Sequence, residues 1–132
     1  MTNAKNTAIL QSVRIIDLTS IIFGPLATQM LGDLGADVIK VEAPEGDLLR
    51  QVQPSRHRLM GAAFLGANRN KRSVGINLKS SEGVEVLKDL VRDADVLVEN
   101  FRPGVMDRLG LPYEVLAEVN PRLVYALSLI HI

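Results

Sequence analysis

Short apolar runs alternate with stretches of helical periodicity along almost the whole chain. A strand that is followed by a helix and then by another strand is typical of a parallel sheet with helices packed outside it. The sequence therefore predicts an α/β fold with a mostly parallel sheet and flanking helices. The predicted strands are residues 13–18, 37–42, 73–78, 95–99 and 123–126.

The helices are predicted from their capping residues and from the spacing of their apolar residues. The first helix is expected to open at Gly24-Pro25 and to end at Gly35. Ser80 is expected to cap a later helix, with Glu82 near its positive end. Shorter helices are predicted near 59–65, 105–109 and 113–119. The buried faces are predicted to be Leu26, Ala27, Met30, Leu31 and Leu34 in the first helix and Val84, Leu87, Leu90 and Val91 in the later one.

Composition places the chain among single-domain globular proteins. Its 132 residues are 47% hydrophobic, which is enough for one core, and its 15 basic and 15 acidic residues cancel. A net charge of zero gives no general attraction to nucleic acid or to an anionic membrane, so neither is expected as a partner. The chain has no cysteine, no long apolar run and no signal-like start, and a cytoplasmic location is therefore expected.

The segment VENFRPGVMDRLGL carries the strongest functional signal. Asn100, Phe101 and Arg102 follow the strand at 95–99, and Arg108 comes next on a short helix. In an open α/β sheet, ligands bind at the carboxyl ends of the strands. An amide, an aromatic face and two guanidinium groups suit a ligand that has both a flat ring and phosphates.

Five segments, in order, resemble the N-terminal part of the family III CoA-transferases, the CaiB/BaiF group. These enzymes include formyl-CoA transferase, carnitine CoA-transferase and α-methylacyl-CoA racemase. The segments are VRIIDLT, GPLATQMLGDLGADVIKVEAPEGDLLR, NRNKRSVGINLKSSEG, ADVLVENFRPGVMDRLGL and NPRLVYA.

The resemblance implies a fold, a cofactor and an assembly. It implies a Rossmann-like large domain that binds coenzyme A, a smaller second domain, and a homodimer of two interlocked chains. The substrates would be an acyl-CoA and a carboxylic acid, with no metal. The family's nucleophilic aspartate would lie beyond the end of this sequence, so no catalytic residue is expected among residues 1–132.

The resemblance also assigns five CoA-binding residues. Lys79 and Arg108 match residues that meet the nucleotide and its phosphates, Ile76 matches an apolar residue near the adenine, and Asn100 and Phe101 match a pair that lines the CoA groove. The physical chemistry agrees, because CoA offers a purine, a 3′-phosphate and a diphosphate. Lys79 precedes a predicted helix N-terminus, and an arginine can bind phosphate through two parallel hydrogen bonds.

The sequence departs from the family pattern at two places. Ile22-Phe23 replaces the Gln-Ala pair of formyl-CoA transferase, which argues against a formyl or oxalyl specificity. Asn77 stands where the family usually has aspartate, and its amide is expected to form a local hydrogen bond instead.

Several of these residues also have a purely structural interpretation. Asn100 could close a turn, Phe101 alone could belong to the core, and Arg108 could pair on the helix surface. Arg102 is expected to face solvent or to pair with a carboxylate. The basic runs Lys71-Arg72 and 56–58 are expected to be solvated, although Lys71-Arg72 could instead lie over phosphates. His57 has no second ligand at metal-binding spacing.

Three functions follow from these observations. The first is an acyl-CoA:carboxylate CoA-transferase that works through an aspartyl covalent intermediate. The second is an α-methylacyl-CoA racemase, which would exchange a proton beside the thioester. The third is a non-catalytic fragment that binds CoA or another nucleotide.

The C-terminal end has an explanation of its own. Residues 127–132, LSLIHI, are the translation of CTGTCTCTTATACACATC, a transposon-end adapter used in sequencing libraries. We therefore expect residues 127–132 to be a non-native tail; the alternative is that they are the natural end of a strand. The rest of the chain is expected to be a polar N-terminal tail at 1–12 and the first part of the CoA-binding domain at 13–126. His131 would then carry no chemistry, and a sheet cut after Ala126 would tend to aggregate.

Overall fold

Five strands form one sheet in the computed structural model, which describes residues 8–128. They are β1 (Arg14–Asp17), β2 (Asp37–Glu42), β3 (Lys71–Gly75), β4 (Val96–Glu99) and β5 (Val124–Leu127). The order across the sheet is β3-β2-β1-β4-β5, and every neighbouring pair is parallel. The predicted α/β class is confirmed.

The helices connect these strands. They are α1 (Phe23–Asp33), α2 (Ala62–Asn68), α3 (Ser81–Arg92), α4 (Val105–Arg108) and α5 (Tyr113–Val119), with a 3-10 turn at Leu48–Gln51. Within residues 8–128, no helix is long and apolar enough to cross a membrane.

The chain winds from β1 to β2 and β3 and then returns to β4 beside β1, so the winding reverses between β1 and β4. Such a reversal point is where open α/β sheets bind ligands.

The two faces of the sheet have different chemistry, because alternate residues of a strand point to opposite faces. Ile16 and Leu97 belong to a large apolar cluster together with Leu87 and Val91 of α3, and all four are fully buried. The predicted inner face of α3 is confirmed. This face of the sheet supplies most of the hydrophobic core.

The opposite face is partly charged, and this corrects the prediction for α1. Asp17 and Lys40 are fully buried there, and α1 buries Thr28 and Gln29 against the sheet. The predicted inner residue Met30 is instead 55% exposed. Apolar spacing failed because buried charges need polar partners, which the polar side of the helix supplies.

Two element boundaries also differ from the prediction. The strand predicted at 73–78 ends at Gly75, because its pairing with β2 ends at Glu42 and the chain then turns. The helix predicted near 59–65 is α2, which begins only at Ala62. Leu59 has a positive φ of 61°, which is incompatible with the helix.

The ends of the described chain join the sheet. Leu10, in the predicted polar tail, donates its backbone N–H to Leu34 and packs against the small apolar cluster around Ile15. Leu127 closes β5, and the Ser128 N–H donates to the Glu99 carbonyl at 2.9 Å. The non-native origin of 127–132 stays a prediction, and residues 129–132 lie outside the described residues.

Candidate functional site

A groove of about 560 Å³ lies at the carboxyl ends of the first four strands. The loops that follow β1, β2 and β3 supply residues 18–20, 43–48 and 76–79, and Phe101 follows β4. Val105 and the adjacent Leu109 close one side. The groove therefore occupies the reversal point of the sheet, where the position of VENFRPGVMDRLGL led us to expect a ligand.

The loop at 76–79 is fixed by hydrogen bonds from its own backbone. The Ile76 N–H donates to the Glu42 carbonyl at 2.8 Å, which holds this buried side chain in the groove wall. Asn77 Oδ1 accepts the Lys79 N–H at 3.1 Å, which confirms the local bond expected of this amide. Ser80 caps α3 by accepting the Gly83 N–H at 3.1 Å, as predicted.

Lys79 and Arg108 line a second cleft of about 410 Å³ beside the groove. Lys79 also lines the groove itself, so it stands between the two spaces. Both side chains are exposed, and neither forms an ion pair with another residue in the range 8–128. Their positive charges are therefore available to an anionic ligand.

Phe101 and Asn100 occupy different positions at the end of β4. Phe101 packs against the apolar core and lines the groove. Asn100 is absent from the groove lining; its Oδ1 accepts the Ser20 N–H at 2.9 Å, and its Nδ2 donates to the Ser20 carbonyl at 3.0 Å. Asn100 thus ties the loop after β1 to the end of β4.

The sequence predictions missed the charges in the groove floor. Lys40 Nζ donates to the Thr19 carbonyl at 2.7 Å and lies 3.2 Å from Asp47 Oδ2, and both side chains are almost fully buried. Asp47 Oδ2 accepts no hydrogen bond from any residue between 8 and 128, although the ion-pair distance is short. A lysine in the middle of DVIKVE, a strand expected to be buried, was the available signal.

A second buried ion pair lies beneath α1. Lys71 Nζ donates to Asp17 Oδ2 at 2.8 Å, and Thr28 Oγ1 donates to the same oxygen at 2.7 Å. Burial alone would raise the pKa of Asp17, but the charges of Lys71 and Lys40 outweigh it and lower that pKa. Lys71 is therefore buried and paired, which corrects the prediction that it is solvated; the Arg72 side chain beside it is exposed.

Glu42 organises the loop that follows β2. Its carboxylate accepts Arg50 Nε at 2.6 Å, Arg50 Nη2 at 2.7 Å and Ser73 Oγ at 2.6 Å. Burial would raise the pKa of Glu42, but the Arg50 and Ser73 hydrogen bonds and the Asp47 N–H outweigh it and lower the pKa to about 2. Glu42 is therefore ionised at neutral pH and holds Arg50 rigidly.

Known proteins share both the sequence and the fold. Residues 10–128 match the family described as CoA-transferase family III. The chain is 46% identical to an acyl-CoA transferase of Fusarium pseudograminearum and 46% identical to a formyl-CoA:oxalate CoA-transferase of Streptomyces coelicolor; each match covers 89% of this chain and 28% of the relative. The chain thus spans little more than a quarter of the length of these curated relatives.

Solved structures give the same result. A hypothetical protein from Mycobacterium tuberculosis is similar with a TM-score of 0.86 and 43% identity, over 93% of this chain and 34% of that one. A CaiB/BaiF family protein from Brucella suis has a TM-score of 0.84 and 42% identity, over 91% of this chain and 33% of that one. The chain belongs to CoA-transferase family III.

Proposed function

We propose that the protein with this sequence is an acyl-CoA:carboxylate CoA-transferase and that the groove holds coenzyme A. The observation that carries the proposal is an apolar groove wall at the reversal point of the sheet, beside two cations that form no ion pair within residues 8–128. CoA needs both an apolar face for its purine and positive charge for its phosphates.

Each of the five proposed CoA-binding residues then has a distinct part in binding. Ile76 and Phe101 form the apolar wall, and Lys79 and Arg108 contact the phosphates. Asn100 acts through Ser20, because its side chain fixes that backbone in place. None of these residues is proposed to react with the substrate; all of them contribute to binding.

The proposed reaction uses a carboxylate nucleophile from a part of the protein that follows this sequence. The carboxylate attacks the thioester carbonyl and the C–S bond breaks. CoA leaves as a thiolate, and the acyl group remains on the enzyme as a mixed anhydride. The thiolate then attacks the enzyme's carbonyl, which releases the donor acid and leaves an enzyme thioester; the acceptor acid reverses these two steps. This covalent path divides one difficult substitution into easier ones. The groove's contribution is to hold the CoA thiolate near the anhydride.

Isotope transfer in the complete gene product tests this proposal. The transferase path carries ¹⁸O from the acceptor carboxylate to the enzyme and, in the next turnover, into the released donor acid. A racemase would instead exchange the α-proton of an acyl-CoA with solvent deuterium and transfer no CoA. Appearance of a new acyl-CoA with ¹⁸O in the donor acid supports the transferase, and α-proton exchange without transfer contradicts it.

The proposed assembly is a homodimer. Phe23 of α1 is 78% exposed and Met30 is 55% exposed, so one side of this helix presents apolar surface to solvent. Apolar surface of this kind is typical of a protein–protein interface. The partner that covers it would be a second copy of the chain.

A further inference from the structure

A separate cleft of about 690 Å³ lies beyond the wall formed by Pro44 and Glu45. These two residues line both this cleft and the proposed CoA groove, so the two spaces are neighbours. The far side of the cleft is formed by the 3-10 turn and by the loop at 53–59. None of the five proposed CoA-binding residues lines it.

The cleft is rich in positive charge. Arg50, Arg56 and Arg58 line it, opposed by the carboxylate of Glu45. Arg50 is held by Glu42 and lies 3.8 Å from the centre of the Phe64 ring. Arg56 and Arg58 are exposed and form no ion pair within residues 8–128. Two guanidinium groups without an ion-pair partner in the described part of the chain therefore share one concave surface.

The loop that carries these arginines is tied down at both ends. Ser55 pairs with Gly61 in an isolated bridge, and the Gly61 N–H donates to the Arg50 carbonyl at 3.0 Å. Inside the loop, the Met60 N–H donates to the His57 carbonyl at 3.2 Å. The backbone that presents the two free arginines thus has a defined shape, which limits the entropy lost on binding.

We propose that this cleft binds an oxyanion, a phosphate or a carboxylate group, through Arg56 and Arg58. Arginine forms two parallel hydrogen bonds with either group, which gives both charge and geometry. Two sources of the anion fit a cleft beside a CoA groove: the 3′-phosphate of CoA itself, or a carboxylate of the acyl donor or acceptor. This assignment of source rests on the proposed function, whereas oxyanion binding by the cleft does not.

Binding of pyrophosphate to the protein tests the cleft without CoA. Nε–H signals of Arg56 and Arg58, assigned by NMR, are expected to shift together during the titration. The double variant Arg56→Gln/Arg58→Gln is expected to lose pyrophosphate binding. Arg122→Gln, an exposed arginine beside the far end of the sheet, is the matched control and should bind like the wild type. Unshifted Arg56 and Arg58 signals would overturn the proposal.

Calorimetry then identifies the source. If the anion is the 3′-phosphate of CoA, the double variant binds CoA about tenfold more weakly but binds 3′-dephospho-CoA like the wild type. If it is a substrate carboxylate, the double variant binds CoA and 3′-dephospho-CoA like the wild type. In the complete gene product the same two substitutions then raise the KM for a dicarboxylic acceptor relative to a monocarboxylic one. Lysine at both positions should restore only part of the lost binding, because lysine keeps the positive charge but cannot donate two parallel hydrogen bonds as a guanidinium does. Wild-type protein that binds pyrophosphate but no CoA would refute the proposed function and leave the oxyanion cleft intact.

Discussion

Asp17 connects several parts of the polar interior. Its carboxylate accepts hydrogen bonds from the Thr19 N–H, Thr28 Oγ1 and Lys71 Nζ, and its side chain has no exposure to solvent. Thr19, in turn, lines the groove and accepts Lys40 Nζ through its carbonyl. The Asp17 carboxylate therefore links the support of α1 to the groove floor.

Replacing Asp17 by asparagine should destabilise the protein strongly. The change leaves Lys71 buried without its counter-charge, which costs about 3–5 kcal/mol of the free energy of unfolding. Urea denaturation measures this cost. Asp89→Asn breaks an exposed pair with Arg92 and should leave the midpoint unchanged. Equal midpoints for the two variants would show that the buried pair contributes nothing.

The pKa of Glu42 predicts a loss of stability in acid. A carboxyl whose folded pKa is about 2, below the ordinary 4.5, stabilises the fold fully above about pH 4.5. That contribution disappears as the pH falls from about 4.5 toward 2. Urea denaturation between pH 6 and pH 3 should show the decline, and it should be smaller in Glu42→Gln. Glu85→Gln, which alters an exposed pair with Lys88, is the control and should lose stability in acid as the wild type does. A decline in Glu42→Gln as large as that of the wild type would contradict this role.

Hydrogen bonds between residues that are close in sequence could be predicted from the sequence. Ion pairs between residues on different strands could not. The role of Asn77 and the cap by Ser80 follow from positions two or three residues apart. Lys71 and Asp17 are 54 residues apart in sequence, and only the parallel order of the strands brings them together. A run of basic residues alone gave no sign that one of them is buried.

At the scale of elements, α3 and the loop before it form one packed unit. A Cβ atom on Gly83 would lie 2.0 Å from the Asn77 carbonyl oxygen, so α3 approaches this backbone more closely than any larger residue allows. The cap of α3 and the loop that carries Ile76 and Lys79 thus depend on this glycine.

Gly83→Ala should therefore destabilise the protein and weaken CoA binding. Overpacking of this kind typically costs about 1–3 kcal/mol, and the loop must shift to make room. Gly66→Ala is the matched control, because that helical glycine has nothing within 4 Å of the added atom. The control should gain about 0.5–1 kcal/mol from helix propensity. Thermal unfolding compares the two, and a higher Tm for both variants would contradict the close packing.

Helix α1 shows where apolar periodicity misleads. The sequence predicted its apolar residues to be buried. Leu31 does pack against the cluster around Ile15, but Met30 is exposed and the polar residues 28 and 29 are buried instead. Apolar periodicity identifies an amphipathic helix, but it does not show which of the two sides of the helix packs against the sheet. Helix α3 was predicted correctly because the sheet face beneath it is apolar.

At the scale of the whole molecule, the apolar side of α1 predicts self-association. Phe23→Ser/Met30→Ser should shift the protein toward the monomer in light scattering after size-exclusion chromatography, because it removes apolar surface from the proposed interface. Val86→Ser, at a residue of α3 that is 48% exposed, is the matched control and should leave the distribution unchanged. A wild-type protein that is a monodisperse, cooperatively melting monomer would contradict the homodimer.

Calorimetric titration with CoA tests most directly whether the groove at the reversal point holds that cofactor. The wild-type protein should bind CoA, and Lys79→Ala/Arg108→Ala should bind at least about tenfold more weakly, because charge-assisted contacts to phosphate are lost. Arg102→Ala is the control, since Arg102 is exposed on the same turn but lines neither the groove nor the cleft beside it. CoA binding of equal strength in the double variant, or no binding by the wild type, would contradict the assignment.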